Sequence, residues 1–189
     1  MTNQFDKYGT RGADYHYGMI SRMSLKSYNA SVDARFKKLV ENVKREAGDK
    51  RLKLLDVGCG DGVVLYLLSK ECPNLELYGI EPVEDALKVA KRRVPRGKFS
   101  IGTAGELPYE NDFFDIVISS DVIEHVDDAD KMLAEIKRVA KSGACVIIGT
   151  PIRHSKLPID RNHVQEWFME DIVDLLDPHF RETKLHESH

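Results

Sequence analysis

The 189-residue chain lacks the features that would place it in several large protein classes. It has only three cysteines, Cys59, Cys72 and Cys145, each set in an apolar segment and without C-x-x-C spacing. Their odd number argues for free thiols in a reducing compartment rather than a disulfide framework. No apolar run approaches roughly 18 residues, so no segment is expected to cross a membrane. The opening MTNQFDKYGTRG is polar and does not read as a secretory signal. A dominant charge is lacking too: 28 Lys and Arg stand against 31 Asp and Glu, a net of −3. Generic nucleic-acid affinity is therefore not indicated, although a local basic patch stays open. There is no internal repeat and no low-complexity tract. These absences leave a cytoplasmic protein of one domain, long enough to bury a full core.

What the chain does have is alternation. Residues 31–47 place Val32, Phe36, Leu39, Val40, Val43 and Ala47 at helical spacing, and Gly48 follows as a stop. Residues 1–48 are thus expected to form an N-terminal cap segment and helix, and 49–189 the core. In the core, strands are predicted at 52–57, 75–80, 98–101, 114–119 and 144–149. Helices are predicted at 62–72, 83–94, 129–140 and 166–176. Alternation of this kind implies an α/β fold, a doubly wound parallel sheet with helices on both faces.

Such a sheet gives meaning to Gly58-Cys59-Gly60-Asp61-Gly62. This loop leaves the first strand and feeds a helix, at the end of the sheet where ligands bind. Glycines there allow a ligand to approach bare peptide groups. A dinucleotide loop usually reads G-x-G-x-x-G, but Val63 occupies the third glycine position, which disfavours an NAD(P) oxidoreductase. Glu81 ends the next strand, 19 residues after Gly62. A carboxylate there suits the two hydroxyls of a ribose.

LLDVGCGDG, YGIEP and GTAGELPYENDFFDIVISSDVIEHV, taken in order, resemble the motifs of class I S-adenosylmethionine (SAM)-dependent methyltransferases. The group most similar is that of the ubiquinone-biosynthesis O-methyltransferases, over roughly residues 50–180. The resemblance implies a Rossmann-like sheet of seven strands with SAM across the carboxyl ends of the first four. Carried over by position, Asp56, Gly58 and Gly60 would cradle the methionine part and Glu81 would hold the ribose. Pro82 and Val83 would flank the adenine, and Ser119 or Ser120 would offer backbone groups. Where the family often has Asp in a D-A-E-x-L-P pattern, this chain has Thr103. The adenine amine would then meet the Thr103 hydroxyl and the Ala104 backbone. The family also closes its sheet with a C-terminal hairpin. Here only residues 180–186 are placed to supply a strand, so the hairpin is expected to be incomplete.

Methyl transfer needs acceptor and methyl held in line, and a hydroxyl acceptor must also lose a proton. Asp121, Glu124 and His125 follow the fourth core strand at i, i+3 and i+4, one face if the segment is helical. Two carboxylates and an imidazole in a cleft call for a cation. The SAM sulfonium is one candidate, and Mg²⁺ or Mn²⁺ is another. D-x-x-E-H followed by R-N-H is similar to metal-assisted O-methyltransferases of ubiquinone biosynthesis and of small-RNA 3′ ends, with Asp121 here in place of Glu. That similarity makes Asp121, Glu124, His125 and His163 a candidate metal set. The alternatives are His125 as a metal-free general base, or a structural role, with Asp121 capping a helix.

The acceptor pocket is expected under a roof made by residues 8–28 and 151–168. The roof offers Tyr8, Tyr15, His16, Tyr17 and Met19 from the first segment and Trp167 from the second. Arg11 and Arg153 are available to an anionic acceptor, and His154 is expected in solvent. The resulting expectation is methyl transfer from SAM to an oxygen of a small molecule, leaving S-adenosylhomocysteine, with His125 catalytic. Two other readings stand beside it: a non-catalytic methyltransferase-like subunit of a complex, and a methyltransferase acting on RNA or protein. The oligomeric state is open, a dimer included.

Overall fold

The structure, a computed structural model, describes residues 12–21, 29–157, 159–160 and 163–186. Helix α1 spans Tyr15–Ile20 and α2 spans Ala30–Ala47. The core then runs β1 (Lys53–Val57), α3 (Val63–Glu71), β2 (Glu76–Glu81), α4 (Glu84–Arg93), β3 (Lys98–Ile101) and β4 (Phe114–Ser120). A 3-10 turn at Ile123–His125, α5 (Ala129–Val139), β5 (Ala140–Gly149) and α6 (Met169–Leu176) complete it. The five strands form one sheet in the order β3-β2-β1-β4-β5, and every pairing is parallel.

Strand alternation decides which helix lies on which face. Leu54 of β1 with Ile116 and Ile118 of β4 packs against α2 and α3, where Phe36, Val43, Leu65 and Leu68 are buried. Leu55 and Val57 of β1 with Val117 of β4 face the other way, onto Met132, Leu133 and Ile136 of α5 and Ile172 of α6. The sheet is thus covered on both sides, as the alternation predicted. The winding reverses between β1 and β4, which are adjacent. The loops after those two strands open a crevice at the carboxyl edge, the place where such sheets bind ligands.

Local signals explain the element ends. The Asn29 side chain accepts from the amides of Ser31 and Val32 at the start of α2. Asp128 accepts from Lys131 N to begin α5. Three departures have physical causes. Strand β5 starts at Ala140 rather than 144, because Ala140 pairs with Phe114 before a register shift. Helix α6 starts at Met169 rather than 166, because the Glu166 carboxylate is occupied by the preceding loop. Helix α1 was not anticipated, since its six residues are too few to show a helical period, with only Met19 and Ile20 packed, partly buried, against the core. Among the described residues no strand follows β5, and residues 181–186 are irregular, so the strand expected at 180–186 is not formed there.

Gly62 joins the first loop to α3 with φ +76°. A Cβ there would stand 2.8 Å from Ala90 Cβ and 2.9 Å from Ala90 Cα on α4. The absent side chain is what lets α3 and α4 pack at this distance. Gly62→Ala is expected to cost about 2–4 kcal/mol, from left-handed strain plus overpacking. Urea unfolding checks this, and an unchanged midpoint would show that the two helices separate freely.

Candidate active site

The loop after β1 is shaped from below by β2. The amides of Gly58 and Cys59 both donate to Ile80 O, at 2.9 and 3.0 Å. Glu81, at the end of β2, is buried, and its two carboxylate oxygens divide their work. Oε2 accepts from Gly60 N at 3.0 Å and Oε1 from Val83 N at 3.1 Å. A carboxylate has about four acceptor positions. Two of them are used here to pin the loop to the end of β2. From the other side, β4 delivers Val122 onto the loop. A Cβ at Gly58 would come within 2.3 Å of Val122 Cγ2, and Gly58 has φ +77°. The absent side chain at Gly58 is what lets Val122 close onto the loop.

The crevice floor is acidic. Asp56 is buried, and burial, helped by the charge of Glu81, pushes its carboxyl up to about 8. At neutral pH it holds a proton unless a cation arrives. Asp61 is also fully buried, and its two oxygens differ: among the described residues Oδ1 accepts no hydrogen bond, with His16 Nδ1 3.9 Å away. Its Oδ2 accepts from Tyr17 N at 3.0 Å and pairs with Arg93 Nη1 at 3.1 Å. The Arg93 guanidinium in turn lies over the Tyr17 ring at 4.3 Å. Helix α1 is thereby tied to the glycine loop.

At the far side of the crevice, Glu124 is buried in the 3-10 turn. Burial first, and then the charge of Asp121, push its carboxyl up to about 7. Thr150 Oγ1 donates to Glu124 Oε2 at 3.0 Å. The Glu124 carbonyl accepts from Val164 N and Gln165 N, which brings the loop after β5 over the turn. His163 then stands beside His125, ring centroids 5.1 Å apart. Ligand atoms of Glu124, His125 and His163 all lie within 4.8 Å of one another. His163 Nδ1 is 2.8 Å from Glu166 Oε1. That contact favours the tautomer with Nδ1 protonated and Nε2 as the basic nitrogen.

One carboxylate gathers several of the described residues of this loop. Glu166 also accepts from Ile159 N at 2.8 Å and Asp160 N at 2.9 Å, and it pairs with Arg153 at 3.7 Å. The Asp160 amide, then those of Ile159 and the His163 ring, hold its carboxyl below the ordinary range.

Several site expectations meet different outcomes here. Asp56, Gly58, Gly60 and Glu81 converge on one crevice. Pro82 and Val83 lie at its β2 end, half-buried. Thr103 and Ala104 lie next to it, where Gly102 N approaches Glu81 O at 3.4 Å and Thr103 bridges to Glu106. Ser120 ends β4 beside Gly149 of β5. Asp121, however, does not share a face with Glu124 and His125. Its φ of +57° turns it away from a helical path, and Arg35 Nη1 holds its Oδ1 at 2.6 Å. Among the described residues it is not part of the cluster of potential metal ligands.

Trp167 is no roof residue, because it is buried in the α5–α6 core. Arg153 is engaged by its own loop, donating to the Ser155 and Lys156 carbonyls. Tyr8 and Arg11 lie outside the described residues. Arg35 and Glu166 had not been singled out in the sequence. Glu166 carried a signal, since H-V-Q-E places it three residues after His163. Arg35 carried none, for it sits among other charges on a helix whose exposed face is charged throughout.

With this geometry in place, comparison with known proteins gives the class. A family model described as a methyltransferase domain matches residues 48–183. The chain belongs to that family, the class I SAM-dependent methyltransferases. It is 31% identical to the ajmaline N-methyltransferase of Rauvolfia serpentina over 150 residues, covering 68% of this chain and 52% of that protein. It is 33% identical to the chloroplastic tocopherol O-methyltransferase of Arabidopsis thaliana, covering 68% of this chain and 38% of that one. The chain thus spans about half the length of these curated relatives, or less. The solved structure of the PH0226 protein from Pyrococcus horikoshii OT3 superposes with a TM-score of 0.65, covering 85% of both chains. At 22% identity that likeness is one of fold.

Proposed function

We propose that this protein transfers a methyl group from SAM to an oxygen of a small-molecule acceptor in the cytoplasm, releasing S-adenosylhomocysteine. The observation that carries the donor half is the crevice over Glu81. It combines a buried Glu81 carboxylate bonded to the glycine-loop amide, left-handed glycines packed under Val122, and a buried Asp56 whose ionised form a cationic ligand would favour. SAM supplies an activated methyl on a sulfonium, and the chain's residues do the rest. Glu81 would bind the ribose. Pro82 and Val83, with the exposed Ile101 beside Glu81 in the β2–β3 ladder, offer apolar surface to the adenine. Thr103 and Ala104 would meet its edge. Among the described residues no helix is long and apolar enough to cross a membrane.

The acceptor half rests on His163. With Nδ1 on Glu166, its Nε2 is the base that would take the acceptor's proton, and His125 beside it would hold the acceptor oxygen. The tocopherol O-methyltransferase among the relatives supports an oxygen acceptor, as the ajmaline N-methyltransferase supports a small molecule. One observation favours a second, metal-assisted reading: the grouping of Glu124, His125 and His163. One carboxylate and two imidazoles suit Mn²⁺ or Zn²⁺ better than Mg²⁺, which prefers oxygen donors. A cation there would lower the pKa of a bound hydroxyl.

Calorimetric titration tests the donor site. Wild type is expected to bind SAM and S-adenosylhomocysteine, and Glu81→Gln to weaken both by about 100-fold. That is the scale of about 3 kcal/mol for hydrogen bonds to a charged group left unmade. Equal affinities would remove Glu81 from the site.

A further inference from the structure

Residues 102–113 carry the chain from β3, at one edge of the sheet, past β2 and β1 to β4. Each of the other crossovers contains a helix, and the described residues 102–113 contain none. The backbone groups of this segment therefore need partners from outside it.

Helix α5 supplies them along one face, where Lys131, Glu135 and Arg138 stand at i, i+4 and i+7. The Lys131 stem lies over Gly105, where a Cβ would come within 3.5 Å of Lys131 Cδ. Glu135 Oε2 accepts from Leu107 N at 2.8 Å. Arg138 Nη2 donates to Leu107 O at 2.9 Å, and Nη1 donates to Tyr109 O at 2.8 Å and Asn111 Oδ1 at 3.0 Å. Nε and Nη2 also meet the Glu135 carboxylate, both at 2.7 Å. A guanidinium has five N–H groups in a fixed fork, and this one finds an acceptor for each. One ion pair thus holds both backbone groups of Leu107, as a neighbouring strand would. The α5 backbone takes the end of the segment, with Asp112 N on Arg138 O and Phe113 N on Val139 O.

The start of the same segment lies at the crevice, where Gly102 N approaches Glu81 O. Residues 103–106 then close on themselves, Glu106 N donating to Thr103 O at 3.3 Å. A turn closed in this way moves as a unit. The position of Thr103 and Ala104 is therefore set by Leu107, the next residue, whose side chain is buried in the core beneath α5.

We infer that Arg138, together with Glu135, is a positioning residue for the base of the donor: it holds the turn 103–106 where Thr103 and Ala104 meet the edge of the adenine. This rests on the SAM reading of the crevice. Arg138 acts through Leu107 and makes no contact with the ligand. Its loss changes which base is preferred, and leaves the grip on the ribose and the amino-acid arm as it was.

The probes are S-adenosylhomocysteine and S-inosylhomocysteine, in which a carbonyl, with a proton on the adjacent ring nitrogen, replaces the exocyclic amine. In calorimetric titration wild type is expected to favour the adenosyl compound by about 10- to 100-fold, the scale of one or two hydrogen bonds left unmade. In Arg138→Met the preference is expected to fall to about threefold or less, through weaker binding of the adenosyl compound alone. The inosyl compound keeps its affinity, because Glu81 and the glycine loop are untouched. Arg138→Lys keeps the charge beside Glu135 and loses the planar fork that serves three acceptors. It is expected to lose the preference too, and it carries the test if thermal unfolding shows that the Met variant does not fold. Equal weakening of both compounds, or an unchanged preference in a folded variant, overturns the assignment. A wild type that binds both compounds alike also overturns it, while the SAM reading stands. If wild type binds neither, the SAM reading falls first and takes this one with it.

Discussion

With a phenol or quinol acceptor that supports turnover, His163→Ala is expected to slow methyl transfer by about 10²- to 10⁴-fold, the range for loss of a positioned general base. The reason lies in the environment of the ring. His163 is held on Nδ1 by Glu166 and stands 5.1 Å from the His125 ring, so its basic nitrogen has a fixed direction. SAM affinity should be nearly unchanged in this variant, because Glu81 and the glycine loop belong to other strands. Chelation separates the two readings of the site. If the rate survives EDTA, His163 acts as a base alone. If EDTA abolishes it and Mn²⁺ or Zn²⁺ restores it in wild type but not in His163→Ala, the three side chains hold a cation. A His163→Ala rate within twofold of wild type would sink both.

The ligand-free protein is expected to lose stability as pH rises from about 4 to 8, and Asp56→Asn to remove much of that slope. The sign follows from proton counting. Asp56 keeps its proton in the folded state up to about 8, whereas its ordinary value is 3.8. Between those values the unfolded chain binds fewer protons than the native one. Stability from this group is therefore complete below the lower value and lost as pH climbs through the upper one, at on the order of 1 kcal/mol per pH unit. A cationic ligand reverses the pressure by favouring the carboxylate. SAM affinity should thus increase between pH 6 and 8.5, with a proton released to buffer, and more so in wild type than in Asp56→Asn. The ligand's own amino group titrates alike in both proteins. Identical pH profiles for the two would show that Asp56 is not the group responsible.

The grouping proposed to hold the donor was readable in the sequence because it is local. Three glycines, an acid at the end of β1 and an acid at the end of β2 are fixed by strand order, and a parallel sheet brings strand ends together without help from distant residues. The acceptor half was only partly readable, because it is assembled across the chain. His163 reaches Glu124 and His125 only since the Glu124 carbonyl accepts two loop amides. Asp121 was misplaced for the opposite reason. A spacing of i, i+3 and i+4 implies one face only on a helix, and the left-handed turn at Asp121 with the 3-10 turn behind it breaks that rule. Trp167 was expected at the surface of a roof, but the short parallel bridge between Ile152 and Trp167 draws it inward. Nothing in the neighbouring residues announces such a bridge.

The gathering of Ile159, Asp160 and His163 on a single carboxylate has an evolutionary consequence. Glu166 gathers Ile159, Asp160, His163 and Arg153, while the donor machinery is built from β1, β2 and the loops behind them. Leu157, Ile159 and Val164 are exposed, and Leu157 makes no contribution to the sheet. On the proposed reading, Leu157, Ile159 and Val164 can change toward new acceptor shapes while the one anchoring acid keeps His163 in register with an unchanged methyl source.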